Sequence, residues 1–145
     1  VAYSLVEATK VPGSLLAGYL AHYPHTLSIQ MVVFAGVWAI GMVIIGASNG
    51  VWMMAAGYMV AGVGIAVINV AQPPLIDHIV PSTEKHRAPL YYAVIAAMGI
   101  VGIALGFLIC GVTIETSPDA WRWNFYAAAM IVIVPCVFLL FMDAV

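Results

Sequence analysis

Between Ser28 and Ser48 the chain carries no charged residue and, Gln30 apart, is almost wholly apolar. A hydrocarbon core about 30 Å thick needs roughly 20 apolar residues of helix to cross it. Comparable runs recur along the sequence, so that 65% of its residues are hydrophobic and 7% charged, with a mean hydropathy of +1.10. Soluble domains carry about 25% charged residues. In lipid every backbone N–H and C=O has to be paired internally, and unbroken apolar runs of this length exceed barrel strands, so the spans are helices. Five are read: Val1 to Ala21, Ser28 to Ser48, Val51 to Ile79, Ala88 to Ile114 and Trp121 to Met142. The expected fold class is an all-α, polytopic transmembrane helical bundle, embedded in a lipid bilayer.

A formal charge of −2 and a pI near 6.0 leave no basic surface for nucleic acid. Cys110 and Cys136 each sit inside an apolar helix, far from any C-x-x-C spacing, where a thiol acts as a small hydrophobe. No basic n-region precedes a short apolar core and a cleavage site, so no signal peptide is legible. Val1 falls inside an apolar helix and Val145 directly follows another, so a partial chain is expected, completed by further helices of the same protein.

Lys85 and Arg87 hold half of all the Lys and Arg, and the positive-inside rule makes their loop cytoplasmic. Alternation then puts Asn49-Gly50, the acidic loop Glu115 to Asp119 and Val1 outside. Arg122 dissents from this pattern, offset by the two acidic residues before it. Tyr19, Tyr23, Trp52, Tyr91, Tyr92, Trp121 and Trp123 fall where amphipathic rings anchor helices at headgroup depth. Glycines dot the helices, and Gly102 and Gly106 form a G-x-x-x-G that lets two helix backbones approach closely.

Polar residues inside the spans are the candidate substrate-cavity residues. Glu7 and Lys10 are three apart and share a helix face. One charge near the centre costs about 2.5 to 3.5 kcal/mol, so the first helix must face other helices or a water-filled cavity, or hold the two as a hydrated pair near the interface. Pro12-Gly13 follows and favours a kink. In the third span Asn69 and Gln72 either bond across to another helix or line a cavity. Pro73-Pro74 then interrupts the backbone ladder, and Asp77 lands near the inner interface.

The histidines His22, His25, His78 and His86 fall at or near the cytoplasmic side. His22-x-x-His25 raises the alternative of a membrane-embedded metal enzyme. Against it, there is no H-E-x-x-H, no nearby Cys, and only Asp77 and Glu84 to add carboxylates. Loop histidines at the headgroup boundary, with no metal, no other cofactor and no catalytic residue, are the preferred reading.

The order of these pieces resembles the N-terminal half of a major facilitator superfamily transporter, from its second to its sixth helix. Ala17-Gly18-Tyr19-Leu20-Ala21 stands where that family ends helix 2 and begins its G-x-L-a-D-R-x-G-R-R loop. Ala61-Gly62-Val63-Gly64 and Pro74-Leu75-Ile76-Asp77 look like helix 4, and Pro81 and Arg87-Ala88 match the D-x-x-P-x-x-x-R-x-x-A lead into helix 5. Gly102, Gly106 and Gly111 fit the Gly-rich helix 5, and Trp121-Arg122-Trp123-Asn124-Phe125-Tyr126 is close to the W-R-W-x-F-Y that opens helix 6. The spacing is nearest to Spinster-like carriers of lipids and small metabolites, where G-Y-L-x-D and G-V-G-E-A occupy these positions. Departures are clear: the loop Asp is His22, the Arg after it Tyr23, the basic pair Thr26 and Leu27, the helix-4 Arg Tyr58, and the Spinster-type Glu Ile65.

The resemblance implies a secondary carrier that moves a small organic solute or lipid by alternating access, with no enzymatic step. It also implies one helix before Val1 and about six after Val145. Asp77 and Arg87 are the retained cytoplasmic gate residues, with His22 in the place of the loop Asp. A fold relative that no longer transports, having lost its gate charges, is the remaining alternative.

Overall fold

Every apolar run forms a helix, because in each the backbone hydrogen bonds close locally whatever the neighbours do. The structure, a computed structural model, describes residues 2–20, 22, 27–117 and 119–142. Its helices are α1 (Ala2–Leu20), α2 (Leu27–Gly46), α3 (Val51–Ile79), α4 (Ala88–Thr116) and α5 (Trp121–Met142), with no strand among the described residues. These bounds agree with the sequence reading to within two residues. The loop before α4 differs, since Ser82–Arg87 winds into a 3₁₀ segment after Pro81, whose carbonyl accepts the Glu84 N–H at 2.9 Å. Among the described residues, Leu27–Gly46, Val51–Asp77 and Ser82–Glu115 are long and apolar enough to cross a membrane.

α1 runs on through Pro12 and α3 through Pro73-Pro74. A proline supplies no N–H, so the carbonyls of Asn69 and Val70 lose their usual donors one turn before the pair.

α3 lies between α1 and α2, and α2 packs its other side on α5. The directions follow from the contacts. Gly57 meets Ile45, Gly41 meets Ala61, and Gly64 meets Phe34 and Trp38, so α2 and α3 run antiparallel. Gln30 at the start of α2 donates to the Leu20 carbonyl at the end of α1, 3.0 Å away, so α1 is parallel to α3. That bond satisfies a C-terminal carbonyl that α1 cannot satisfy itself, which explains why an amide is buried at the start of an apolar helix.

The close approach is made by small residues. A Cβ built at Gly41 would stand 2.5 Å from the Ala61 nitrogen, and one at Gly64 would stand 2.6 Å from the Trp38 nitrogen. Ala35, Ala39, Ala61, Ala66 and Ala71 complete a core whose largest fully buried side chains are Ile45 and Val67. The G-x-x-x-G of α4 behaves otherwise. A Cβ at Gly102 or Gly106 would meet nothing within 4 Å, so the helix packing expected there takes place between α2 and α3 instead. Glycine removes a steric barrier without choosing a partner, and α4 leaves its apolar side chains outward, Phe107 76% and Ile100 70% exposed.

At 29 residues α4 is about 43 Å long, enough to separate its two flanking loops by a bilayer. Ser82 and Ser117 are exposed beyond its two ends. If Lys85 and Arg87 face the cytoplasm, an impermeant thiol reagent added outside sealed cells should label Ser117→Cys and spare Ser82→Cys in a Cys-less background. The reverse pattern would invert the orientation.

Candidate functional site

Asp77 is exposed near the C-terminal end of α3, one helical turn after Pro73. Its partner is Tyr92 on α4. The Tyr92 hydroxyl has two acceptors within reach, the Pro73 carbonyl at 3.0 Å and Asp77 Oδ1 at 3.1 Å. Arg87, the other gate candidate, pairs instead with Glu84 at 3.8 Å, both ends largely solvated. Those two residues are three apart, and the 3₁₀ winding of Ser82–Arg87, three residues per turn, sets them on one side of the segment. Tyr92 was read from sequence only as a headgroup anchor; the spacing of Pro73, Asp77 and Tyr92 carries no signal of a shared bond.

α4 has a second polar attachment at its other end. Asn124 of α5 donates to Thr113 Oγ1 at 2.7 Å and lies 3.2 Å from Cys110 Sγ, while Thr113 donates back to its own helix at Ile109, 2.9 Å away. Cys110 is thus a half-buried free thiol with an amide neighbour. Between these two attachments, α4 touches the other helices little. A helix tied by polar contacts at its ends and bare along its middle can tilt without opening a packed core.

The corner where α5 begins explains the dissenting arginine. Arg122 donates from both terminal nitrogens to Asn49 Oδ1 at 3.3 Å, its Nε lies 3.5 Å from Asp119, and its guanidinium sits 5.3 Å from the Trp121 ring. Beneath it, the Tyr126 ring lies where a side chain at Gly46 would otherwise stand. The aromatic and basic opening of α5 therefore clamps the turn between α2 and α3. Charge that ties a loop down is no guide to membrane side.

Of the cavity candidates, Glu7 and Lys10 form an ion pair of 2.6 Å with both side chains partly exposed. Asn69 is exposed and Gln72 partly so, and neither has a hydrogen-bond partner among the described residues. The structure does not bring the two pairs together. Gly13 is in contact distance of Val63 and Ala66, and with α1 and α3 parallel, Glu7 and Lys10 precede that crossing while Asn69 and Gln72 follow it. His22 lies 3.1 Å through Nδ1 from the Gly18 carbonyl, a bond within its own helix end. His25 and the side chains of His78 and Cys136 lie outside the described residues. Among the described residues, no three of His, Cys, Asp and Glu group as a metal site.

Comparison with known proteins points one way. The family profile of the Major Facilitator Superfamily matches residues 1–145. The MFS-type transporter calB of Penicillium decumbens is 27% identical over 144 residues, 98% of this chain and 24% of that protein. The MFS-type transporter gkaD of Penicillium citrinum is 30% identical over 111 residues, 77% of this chain and 18% of that protein. A probable sphingolipid transporter of Arabidopsis thaliana, spinster homolog 1, is 36% identical over 95 residues, 65% of this chain and 18% of that protein. The chain therefore spans a quarter or less of the length of these curated relatives. No solved structure matches it at comparable significance. With its apolar helices in antiparallel order and a family match across every residue, this membrane-embedded chain belongs to the major facilitator superfamily.

Proposed function

We propose that the chain supplies helices two to six of the first six-helix half of a secondary carrier, which moves a small organic solute or lipid by alternating access. Family membership supports the carrier, and one feature of α3 supports the location of the site. Asn69 and Gln72, polar and unpartnered among the described residues, lie within one turn of the carbonyls freed by Pro73-Pro74. Amide side chains and carbonyls without donors are tolerated in a membrane-spanning helix where it lines a cavity or packs in protein, and in carriers the cavity is where solute binds. Glu7 and Lys10 then form a second polar station on α1. The proposed activity is carriage, with no chemical step.

The first solute to test is a sphingoid lipid, the cargo class named for the plant relative. In proteoliposomes holding the full-length protein, Asn69→Ala and Gln72→Ala should each raise the KM for a fluorescent sphingosine analogue about three- to tenfold, the worth of one net hydrogen bond. Saturable flux of a small organic solute in place of the lipid would move the cargo class and keep the site. A folded protein carrying neither would favour the fold relative that no longer transports.

A further inference from the structure

α1 presents three different faces at helical spacing. Thr9, Gly13 and Ala17, four apart, form a buried stripe, and Gly13 places that stripe against Val63 and Ala66 of α3. Val11 and Leu15 stand on the opposite side, 64% and 73% exposed, an apolar back that suits lipid. Glu7, Lys10 and Ser14 follow at i, i+3 and i+7 and share the third face, about a quarter turn from the stripe. Ser14 is exposed, and the Lys10 and Glu7 side chains are 36% and 42% exposed.

The contacts of Gly13 also fix the depth of this face. Gly64 is the middle residue of the 27-residue span Val51–Asp77, and Gly13 packs at its level, against Val63 and Ala66. Along α1, Lys10 is then about 4.5 Å and Glu7 about 9 Å from the middle of the membrane, within a hydrocarbon half-thickness of about 15 Å. No other charged residue among the described ones lies so deep: Asp77, Glu115 and Arg122 fall at helix ends and the rest between helices. The alternative of a hydrated pair at the interface is thereby set aside.

An ion pair at this depth has no place against lipid. The Lys10 ammonium bonds to Glu7 at 2.6 Å and does not reach for a headgroup. Pairing cancels the net charge, yet an ammonium has three donors and a carboxylate about four lone-pair sites, and leaving the rest unsolvated costs more than one bond returns. Ionisable side chains inside a membrane therefore turn to the bundle interior or to a water-filled cavity. Ser14, with no hydrogen-bond partner among the described residues, extends the polar face to the midplane itself.

We propose that the Glu7–Lys10–Ser14 face of α1 lines an aqueous cavity reaching the middle of the membrane, with the ion pair in its wall. Water and the polar or ionic groups of a solute are what such a wall accepts. Passage of cargo along it rests on the carrier reading; its hydration does not.

The test is chemical access, which is read without transport. Cysteines are placed singly at Val11, Ser14 and Leu15 in Cys-less full-length protein, and opened membranes expose both sides to charged methanethiosulfonate reagents. The thiolate is the reactive form, and apolar surroundings suppress it. Ser14→Cys should react at least about tenfold faster than Val11→Cys or Leu15→Cys. With Ser14→Cys in place, the rate of a cationic reagent relative to an anionic one should be about fivefold or more higher in Lys10→Gln than in Glu7→Gln, because the remaining charge faces the same water. An unreactive Ser14→Cys would mean that another helix covers this face and would overturn the proposal. Equal rates at all three positions, or equal rate ratios in the two charge variants, would overturn it as well. Should either charge variant fail to fold, the contrast of Ser14→Cys with Val11→Cys and Leu15→Cys still decides.

Discussion

Gly41→Val in the full-length protein should cost about 3 kcal/mol or more of stability and sharply lower the yield of folded protein. Overpacking a core ordinarily costs about 1 to 3 kcal/mol, when side chains can shift to make room. At Gly41 the new atom meets the Ala61 nitrogen and Cα at 2.5 and 2.8 Å, and backbone cannot step aside as a flexible side chain does. α2 and α3 would have to separate along their length, which also loosens α5 and α1, packed on their outer sides. Thermal unfolding in detergent, followed by size-exclusion chromatography, measures the effect. Gly102→Val is the control, since it meets nothing within 4 Å, and its cost from these five helices should be about 0.5 kcal/mol or less. A loss at Gly102 equal to that at Gly41 would mean that α4 gains a tight partner beyond the described residues. An undisturbed Gly41→Val would contradict the packing described here.

The second large effect is expected at the N-terminal attachment of α4. Tyr92→Phe deletes one hydroxyl and with it both bonds, to Asp77 and to the Pro73 carbonyl. Asp77→Asn keeps the shape but weakens the acceptor, because bonds to a charged partner are the stronger ones. Whichever state of a two-state carrier holds this contact is disfavoured by the difference, and nothing else changes. Each substitution should therefore shift solute flux about three- to tenfold with near-normal expression, and the double variant should do no more than Tyr92→Phe alone, which already removes the bond that Asp77→Asn weakens. Arg87→Gln, which leaves the Asp77–Tyr92 bond intact and removes only a solvated pair at 3.8 Å, should shift flux less. Flux unchanged in both Tyr92→Phe and Asp77→Asn would make the attachment idle.

How far the sequence reached follows from what each feature depends on. The helices, their bounds and the all-α class were legible because a helix in lipid satisfies its own backbone: twenty apolar residues suffice, whatever stands beside them. The W-R-W-x-F-Y at the start of α5 marked the family before its physical use was visible, the clamp of Arg122 on Asn49 and of Tyr126 over Gly46. The Glu7–Lys10 pair was legible too, because its spacing lies within one helix. Tertiary structure alone decided the pairings between helices. Gly41 and Gly64 pack while Gly102 and Gly106 do not, and no glycine pattern distinguishes a stripe that faces a neighbour from one that faces lipid. Asp77 meets Tyr92, fifteen residues on, and Asn124 meets Thr113 and Cys110. Gln30 caps the end of α1. These contacts join residues on different helices, and their partners are set by how α3 and α4 cross, by the 3₁₀ winding of Ser82–Arg87, and by how closely small residues let two backbones approach. Local hydrogen bonding determines where each helix is; only the packing of helices on one another determines which polar side chains meet.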